Sequence, residues 1–215
     1  MNLTHKYGPT TLAQYNTNHA PLSNLIQMYL NEKTTLPLLL FGNAGGGKTA
    51  LAHLLPPAIC PDFVPANDEK FIDGGLSTSI NDVRSIVEFC TLTKFNSKNF
   101  TSIVIDEFDR LSTDAMDALK HALPKYQDVA GMRVHFTLTT NHINRIPTPI
   151  RDRCNCVEVT LPLSNDLLPM AMKILRAESN KDWDEAKIAE VLNTATIDGR
   201  ISYREFFKRM ERLLA

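Results

Sequence analysis

The sequence predicts an α/β fold: a doubly wound parallel sheet with helices on both faces, followed by a small, purely helical C-terminal part. Three observations carry that expectation. The apolar run Leu36 to Phe41 opens directly into Gly42-Asn43-Ala44-Gly45-Gly46-Gly47-Lys48-Thr49, which reads G-x-x-x-x-G-K-T between a strand pattern and a helix pattern. The β-branched run Thr101 to Ile105 ends in the carboxylates Asp106 and Glu107, where a parallel strand would stop. From Leu36 to Leu161 strand-like runs alternate with helical patterns, which builds parallel β-α units, whereas after Pro162 only helical periodicity remains.

Each element has its own signal. The stretch to Thr17 carries Pro9 among scattered polar residues and reads as an extended arm. Ala20 to Glu32 is the first helix, because Leu22, Leu25, Ile26 and Tyr29 recur at helical spacing. After strand Leu36 to Phe41, a helix runs from Lys48 to about Leu55, where Pro56-Pro57 ends it. A short strand, Lys70 to Ile72, leads through the polar segment Asp73 to Ser79 into a helix from Ile80 to Leu92. The acidic strand follows; then Ser112 or Thr113 caps a helix to about Leu123. Val134 to Thr139 is a strand closed by Thr140-Asn141-His142, and Val157 to Leu161 is the last strand of the sheet. The final helices span Asn165 to Glu178, Asp184 to Thr194 and Ser202 to Leu214. The expected division is an α/β nucleotide-binding domain over 1–162 and a helical lid over 163–215.

Composition bounds the function. The 215 residues are 43% hydrophobic and 22% charged, enough for a packed core and unlike a disordered chain. With 23 basic and 24 acidic side chains the formal charge is -1, so any nucleic-acid contact must come from a local patch. Cys60, Cys90, Cys154 and Cys156 show no paired C-x-x-C spacing, and neither a signal peptide nor a long apolar run appears, so a reduced, soluble, cytoplasmic protein is expected. Cys154-x-Cys156 has no second pair for a metal, and these two read as buried strand cysteines.

The chemistry is that of a phosphate cradle. Glycines let the loop turn tightly with N–H groups aimed inward, and the N-terminus of the following helix adds positive potential. Gly42, Asn43, Ala44, Gly45, Gly46, Gly47, Lys48, Thr49 and Ala50 are the candidate ATP-binding residues, with Lys48 reaching the phosphates. Thr49 and Asp106 are the candidate Mg²⁺ ligands, and Glu107 the general base that polarises an attacking water. Asp109 reads as a helix cap.

The order and spacing of these motifs resemble an AAA+ ATPase, and within that superfamily a sliding-clamp loader subunit of the replication factor C or phage type. Lys6-Tyr7-Gly8-Pro9-Thr10-Thr11-Leu12 is similar to the arm that packs against adenine in clamp loaders, with Gly8 where they carry arginine, so Tyr7 and Pro9 join the candidate nucleotide site. Asp106 to Leu111 and Asp114 to Leu119 resemble the Walker B segment and its following helix. Thr139-Thr140-Asn141 looks like sensor 1, with Asn141 facing the γ-phosphate or the lytic water. Arg151-Asp152-Arg153-Cys154 resembles the Ser-Arg-Cys motif, which implies Arg153 as an arginine finger reaching a neighbouring subunit, with Arg151 as its competitor.

Further implications follow from the resemblance alone. Asp198 to Arg204 precedes the last helix where a sensor 2 arginine lies, and Arg204 fits that position best, with Arg200 close behind. Asn81-Asp82-Val83-Arg84 resembles the start of a helix that tracks DNA phosphates, making Arg84, and less so Thr113, a DNA-backbone candidate. The implied partners are related AAA+ subunits in a ring or arc, DNA, and a sliding clamp or other replication protein. Clamp-loader subunits continue into a helical collar, which this sequence lacks; a separate collar polypeptide, a longer chain or assembly through the ATPase domains alone would each account for it. So compact a chain would suit a phage or mobile element. The alternatives are a helicase loader or Holliday-junction motor, which shares the catalytic residues, and a nucleotide-dependent scaffold that hardly hydrolyses, against which an intact Glu107 argues.

Overall fold

The computed structural model describes residues 2–15, 19–76, 79–126, 133–194, 196 and 198–215. In chain order these form α1 (Leu3–Tyr7), α2 (Ala20–Leu30), β1 (Leu38–Phe41), α3 (Lys48–Ile59), α4 (Pro65–Asp68), β2 (Glu69–Asp73), α5 (Ile80–Cys90) and β3 (Phe100–Asp106). There follow α6 (Thr113–Lys125), β4 (Arg133–Thr140), α7 (Thr148–Arg151), β5 (Asn155–Glu158), α8 (Leu168–Glu178), α9 (Glu185–Asn193) and α10 (Tyr203–Leu214). The chain divides into two compact units, one of His19–Gly42 with Lys48–Val159, the other of Met1–Asn18, Asn43–Gly47 and Thr160–Ala215.

In the larger unit the described strands make a parallel sheet in the order β2-β3-β4-β1-β5. Alternation along the strands sorts side chains to two faces. Leu39, Ile103, Ile105, Phe136 and Leu138 share one face, and they join Ile86 and Cys90 of α5 and Ala115 and Leu119 of α6 in a single buried cluster. On the other face His135 meets Tyr29 of α2 edge-on, with ring centroids 4.9 Å apart. Helices therefore cover both faces, as the β-α alternation requires. The register sets Phe41 opposite Thr140 and Asp73 opposite Asp106, so the strands deliver their last residues along one edge, where open α/β sheets bind ligands.

The smaller unit has its own core. Leu3 joins Ala171, Ile174 and Leu175 of α8, Ile188 and Leu192 of α9, and Phe206, Phe207 and Met210 of α10. Side-chain caps start two of these helices: Asp184 accepts from the Ala186 N–H at 2.9 Å, and Ser202 from the Glu205 N–H at 3.1 Å. Among the described residues no helix is long and apolar enough to cross a membrane.

Several local expectations are corrected. The N-terminal arm contains a helical turn, α1, because Leu3 is completely buried and Asn2 accepts from the His5 N–H; one turn is too short to show periodicity. Helix α3 continues through Pro56-Pro57 to Ile59, since Pro56 and Ile59 are buried and the Cys60 N–H still donates to the Pro56 carbonyl at 2.9 Å. Strand β1 begins at Leu38, after Pro37, which has no N–H to pair. Strand β5 runs over Asn155–Glu158, earlier than the expected 157–161, because its partner β1 ends at Phe41, opposite Glu158. Cys156 is exposed on β5 and Cys154 half-buried before it, so neither is a buried strand cysteine. The expected end of the arm at Thr17, and Ser77 and Thr78 of the polar segment, lie outside the described residues.

His135 gives a pH prediction. Its imidazole is wholly buried, which pulls its pKa down to about 4. A histidine depressed in the folded state contributes stability that is complete above its unfolded pKa of about 6.5 and is lost as pH falls through the folded value. Urea unfolding followed from pH 7 to pH 4 is expected to show declining stability, with a distinctly shallower slope in His135→Gln. Equal slopes would assign the acid sensitivity to other groups.

Candidate nucleotide-binding site

In the larger unit the site is built on the end of β3. Asp106 is its last residue and shares a face with Thr139 of β4, while Thr49 lies in the first turn of α3. The Thr49 hydroxyl donates to Asp106 Oδ1 and Oδ2 at 2.9 and 3.0 Å, and the Thr139 hydroxyl donates to Oδ1. Thr139 Oγ1 also accepts the Glu107 N–H at 3.2 Å. Lys48, only 7% exposed, extends Nζ to the Gly42 carbonyl at 2.9 Å and to Asn141 Oδ1 at 2.8 Å. One carboxylate, two hydroxyls, one ammonium and one amide thus converge from β3, α3, β4 and the turn that follows β4.

Glu107 leaves the strand in a left-handed conformation, φ 48° and ψ 44°, which disfavours non-glycine residues by about 1–2 kcal/mol. The turn is fixed from the residue that follows β2: the Gly74 N–H donates to the Asp106 carbonyl at 2.9 Å, and a Cβ on Gly74 would lie 2.5 Å from the Glu107 carbonyl oxygen. Glu107 Oε2 lies 3.0 Å from Arg110 Nε. Asp109, read from sequence as a cap, instead points inward with its side chain 4% exposed, and accepts from the Thr140 hydroxyl at 2.6 Å.

The smaller unit holds loop Asn43–Gly47. Gly45 and Gly47 have φ of 77° and 93°, conformations that free a glycine loop to present its N–H groups. The Gly45 carbonyl accepts the Tyr203 N–H at 3.0 Å, and a Cβ there would lie 2.9 Å from Ser202 Cβ and 3.4 Å from Arg204 Cβ. Gly47 backs onto the Tyr15 ring, which a Cβ would meet at 3.2 Å. Burial raises the pKa of the Tyr15 phenol, which stays neutral. Arg204 is exposed in the first turn of α10, beside Gly45; Arg200, also exposed, donates to the Leu161 carbonyl at 2.5 Å. Tyr7 donates its hydroxyl to Glu178, which also receives Lys6 Nζ, and that hydrogen bond raises the tyrosine pKa. Pro9 is half-buried, and Asn43 and Ala44 are exposed.

The remaining candidates lie in the larger unit. Arg153 is exposed and donates to the Pro149 carbonyl, whereas Arg151 is half-buried and donates to Thr148 Oγ1 at 2.9 Å. Arg84 is exposed on α5, 3.2 Å from Asn81 Oδ1. Thr113 is exposed at the start of α6, which Ser112 caps by accepting the Ala115 N–H at 3.2 Å. Ala50 is half-buried in the first turn of α3.

These groups suit a magnesium nucleotide. Thr49 and Asp106 offer hard oxygen donors side by side, and among the described residues no cluster of three or more His, Cys, Asp or Glu could hold a metal, so an ion here would complete its shell with phosphate and water oxygens.

A parallel sheet with a G-x-x-x-x-G-K-T loop and a strand-end carboxylate bonded to the loop's threonine defines a P-loop nucleotide-binding fold. Residues 38–162 match the model of the ATPase family associated with various cellular activities (AAA), and the chain belongs to that family. It is 29% identical over 203 residues to a replication factor C small subunit of Methanococcus maripaludis, covering 91% of this chain and 60% of that protein. It is 25% identical over 196 residues to replication factor C subunit 5 of Mus musculus, covering 91% and 56%. The chain thus spans somewhat over half the length of these relatives. The solved Thermotoga maritima RuvB Holliday junction branch migration motor has a TM-score of 0.69 at 17% identity, covering 96% of this chain and 63% of that one, and its P216G mutant 0.67 at 19%, covering 91% and 63%. At such identity the likeness is one of fold.

Sequence reasoning placed Thr139 in the sensor 1 stretch and Arg110 in the Walker B stretch without giving either a role, and it missed Tyr15 and the inward turn of Asp109. Thr139 carried a usable signal, a threonine in a β-branched and apolar strand pattern that is buried from Val134 onward, so its hydroxyl must find a partner. Thr139→Val keeps the shape and leaves Asp106 one donor short and the Glu107 N–H without its acceptor. The expected cost is about 1–3 kcal/mol in urea unfolding. A change below about 0.5 kcal/mol, the ordinary size of a surface substitution, would mean that neither bond contributes.

Proposed function

We propose that the chain is an ATP-hydrolysing AAA+ module acting in DNA replication or repair, as a clamp-loader-like subunit that remodels a protein on DNA. The observation that carries the hydrolytic part is the convergence of Thr49, Thr139 and Asp106, with Lys48 joined to Asn141. The clamp-loader part is supported by similarity to replication factor C subunits over 91% of the chain.

In this reading loop 42–50 binds ATP phosphates through its N–H groups and Lys48, and the arm carrying Tyr7 and Pro9 lies at the adenine. Thr49 and Asp106 hold Mg²⁺. When bound, that ion neutralises charge on the phosphate oxygens. Thr49 exchanges its hydrogen bond to Asp106 for a lone-pair contact, and Lys48 gives up the Gly42 carbonyl for phosphate. Glu107 accepts a proton from the attacking water, which requires its carboxylate to turn from Arg110. Asn141 orients that water or the γ-phosphate. Arg153, exposed and held only by a nearby carbonyl, reaches the nucleotide of a neighbouring subunit; Arg151 is its competitor. Arg204, beside Gly45, reports the γ-phosphate, with Arg200 as the second candidate. Arg84 contacts DNA phosphates, a positioning role without sequence preference. Related AAA+ subunits, DNA and a sliding clamp are the proposed partners.

Two measurements test this. Glu107→Gln is expected to lower ATP turnover about 10²- to 10⁴-fold while leaving the nucleotide Kd within about threefold. Unchanged turnover would transfer the chain to the class of nucleotide-dependent scaffolds. Mixing Arg153→Ala with Lys48→Ala, each inactive alone, is expected to restore ATPase activity, because one variant supplies an intact pocket and the other an intact finger. No recovery in variants shown to co-assemble would remove Arg153 from the neighbouring site.

A further inference from the structure

We propose that Asp109 is a positioning residue for the polar turn after β4, acting through Thr140 to hold Asn141 against Lys48; the inference rests on the reading of Asn141 as part of the ATP site. Asp109 follows β3 in the 3₁₀ turn Phe108–Arg110, and its side chain is 4% exposed. A helix cap would not need that burial, and the cap of α6 is already Ser112. The carboxylate crosses instead to the neighbouring strand, where Oδ1 accepts the Thr140 hydroxyl at 2.6 Å.

Thr140 is the last residue of β4 and completely buried. Its hydroxyl has one proton, and giving that proton to Asp109 leaves a lone pair to accept the His142 N–H at 2.9 Å. The residues on either side of Asn141 are therefore tied to one oxygen whose polarity Asp109 sets. Asn141 then turns Oδ1 to Lys48 Nζ at 2.8 Å. Arg145 braces the turn from outside: its N–H donates to the His142 carbonyl at 2.9 Å and its Nη1 stands 3.5 Å from Asp109 Oδ2. That ion pair is too exposed on the arginine side to hold the turn by itself. Without the carboxylate the Thr140 hydroxyl is free to rotate, the His142 N–H loses a fixed acceptor, and Asn141 loses its anchorage. Misplacement of a positioning group by about 1 Å is enough to cost up to about 100-fold in rate.

The test is a mutant cycle with a second readout that needs no turnover. In the full chain, Asp109→Ala and Thr140→Val are each expected to lower kcat by about tenfold or more, with the nucleotide Kd near the wild-type value. Thr140→Ser, which keeps the hydroxyl, restores most of the rate lost in Thr140→Val. In an Asn141→Ala background neither change lowers kcat more than about twofold, because the group they position is gone. Losses that multiply undiminished in that background would make Asp109 merely structural and overturn the proposal. Amide hydrogen exchange at His142 is expected to accelerate in Asp109→Ala and Thr140→Val and to stay unchanged in Lys48→Ala. If the wild type proves not to hydrolyse ATP, or Asn141→Ala leaves turnover intact, the hydrolytic reading fails at that residue while the exchange data still decide: unaltered exchange in both variants refutes the positioning role.

Discussion

The hydrogen bonds converging on Asp106 are the constraint on which the rest of the larger unit's polar edge depends. A carboxylate at the end of a buried strand needs donors. Here they come from Thr49 and Thr139, residues from two other segments that meet only if β3 and β4 pair in the observed register and α3 crosses their shared face. A one-residue slip of β4 would turn Thr139 to the opposite face and bring Leu138 to the carboxylate. The abrupt turn at Glu107 belongs to the same arrangement. Its N–H reaches Thr139 because the backbone bends into the left-handed region at that point, and Gly74 leaves room for the bend.

The elements legible in the sequence were those whose signal is local. Loop Gly42–Thr49 between β1 and α3, and the acidic end of β3, announce themselves by residue type and by position relative to an apolar run. The C-terminal helices were legible from their apolar spacing, and two of them start beside the expected Asp184 and Ser202, which the structure shows to be their caps. What escaped was decided by partners distant in the chain. Nothing near Pro56-Pro57 indicates that burial of Pro56 and Ile59 carries α3 past two prolines, and β5 stops where β1 ends, a fact about another strand. Asp109 looks like any acidic residue before a helix; only its approach to Thr140, thirty-one positions away, reveals its direction.

The glycine loop illustrates how one motif answers two demands. Its glycines permit the dihedrals that turn N–H groups inward, which is the reason visible in the sequence. The second reason is steric and belongs to the smaller unit: Gly45 is pressed by the start of α10 and Gly47 by the Tyr15 ring. Alanine at Gly47 would thus be strained in its backbone and also crowded against an aromatic ring that is itself packed. The Tyr203 N–H, one of the donors left unpaired at the start of a helix, is satisfied by the Gly45 carbonyl. Loop and helix start therefore stabilise one another, and a change in loop conformation on phosphate binding would be felt first at Ser202, Tyr203 and Arg204.

The competing arginines differ in their local partners and exposure. A guanidinium that is to meet phosphate must be accessible and must give up only a weak local partner. Arg153 is exposed, with a single carbonyl partner four residues back, whereas Arg151 is half-buried, its Nε enclosed and its Nη2 bonded to Thr148. Redirecting Arg151 would disturb the turn it closes; redirecting Arg153 exchanges one surface hydrogen bond to a neutral carbonyl for contact with an ionised phosphate, which a guanidinium can grip with two parallel N–H groups. Arg200 and Arg204 divide in the same way. Arg200 reaches back to the Leu161 carbonyl beside the Leu163–Arg200 bridge that closes the smaller unit's chain, while Arg204 stands exposed next to Gly45. Arg153 and Arg204 therefore demand the smaller rearrangement, which is the physical ground for preferring them in the proposed site.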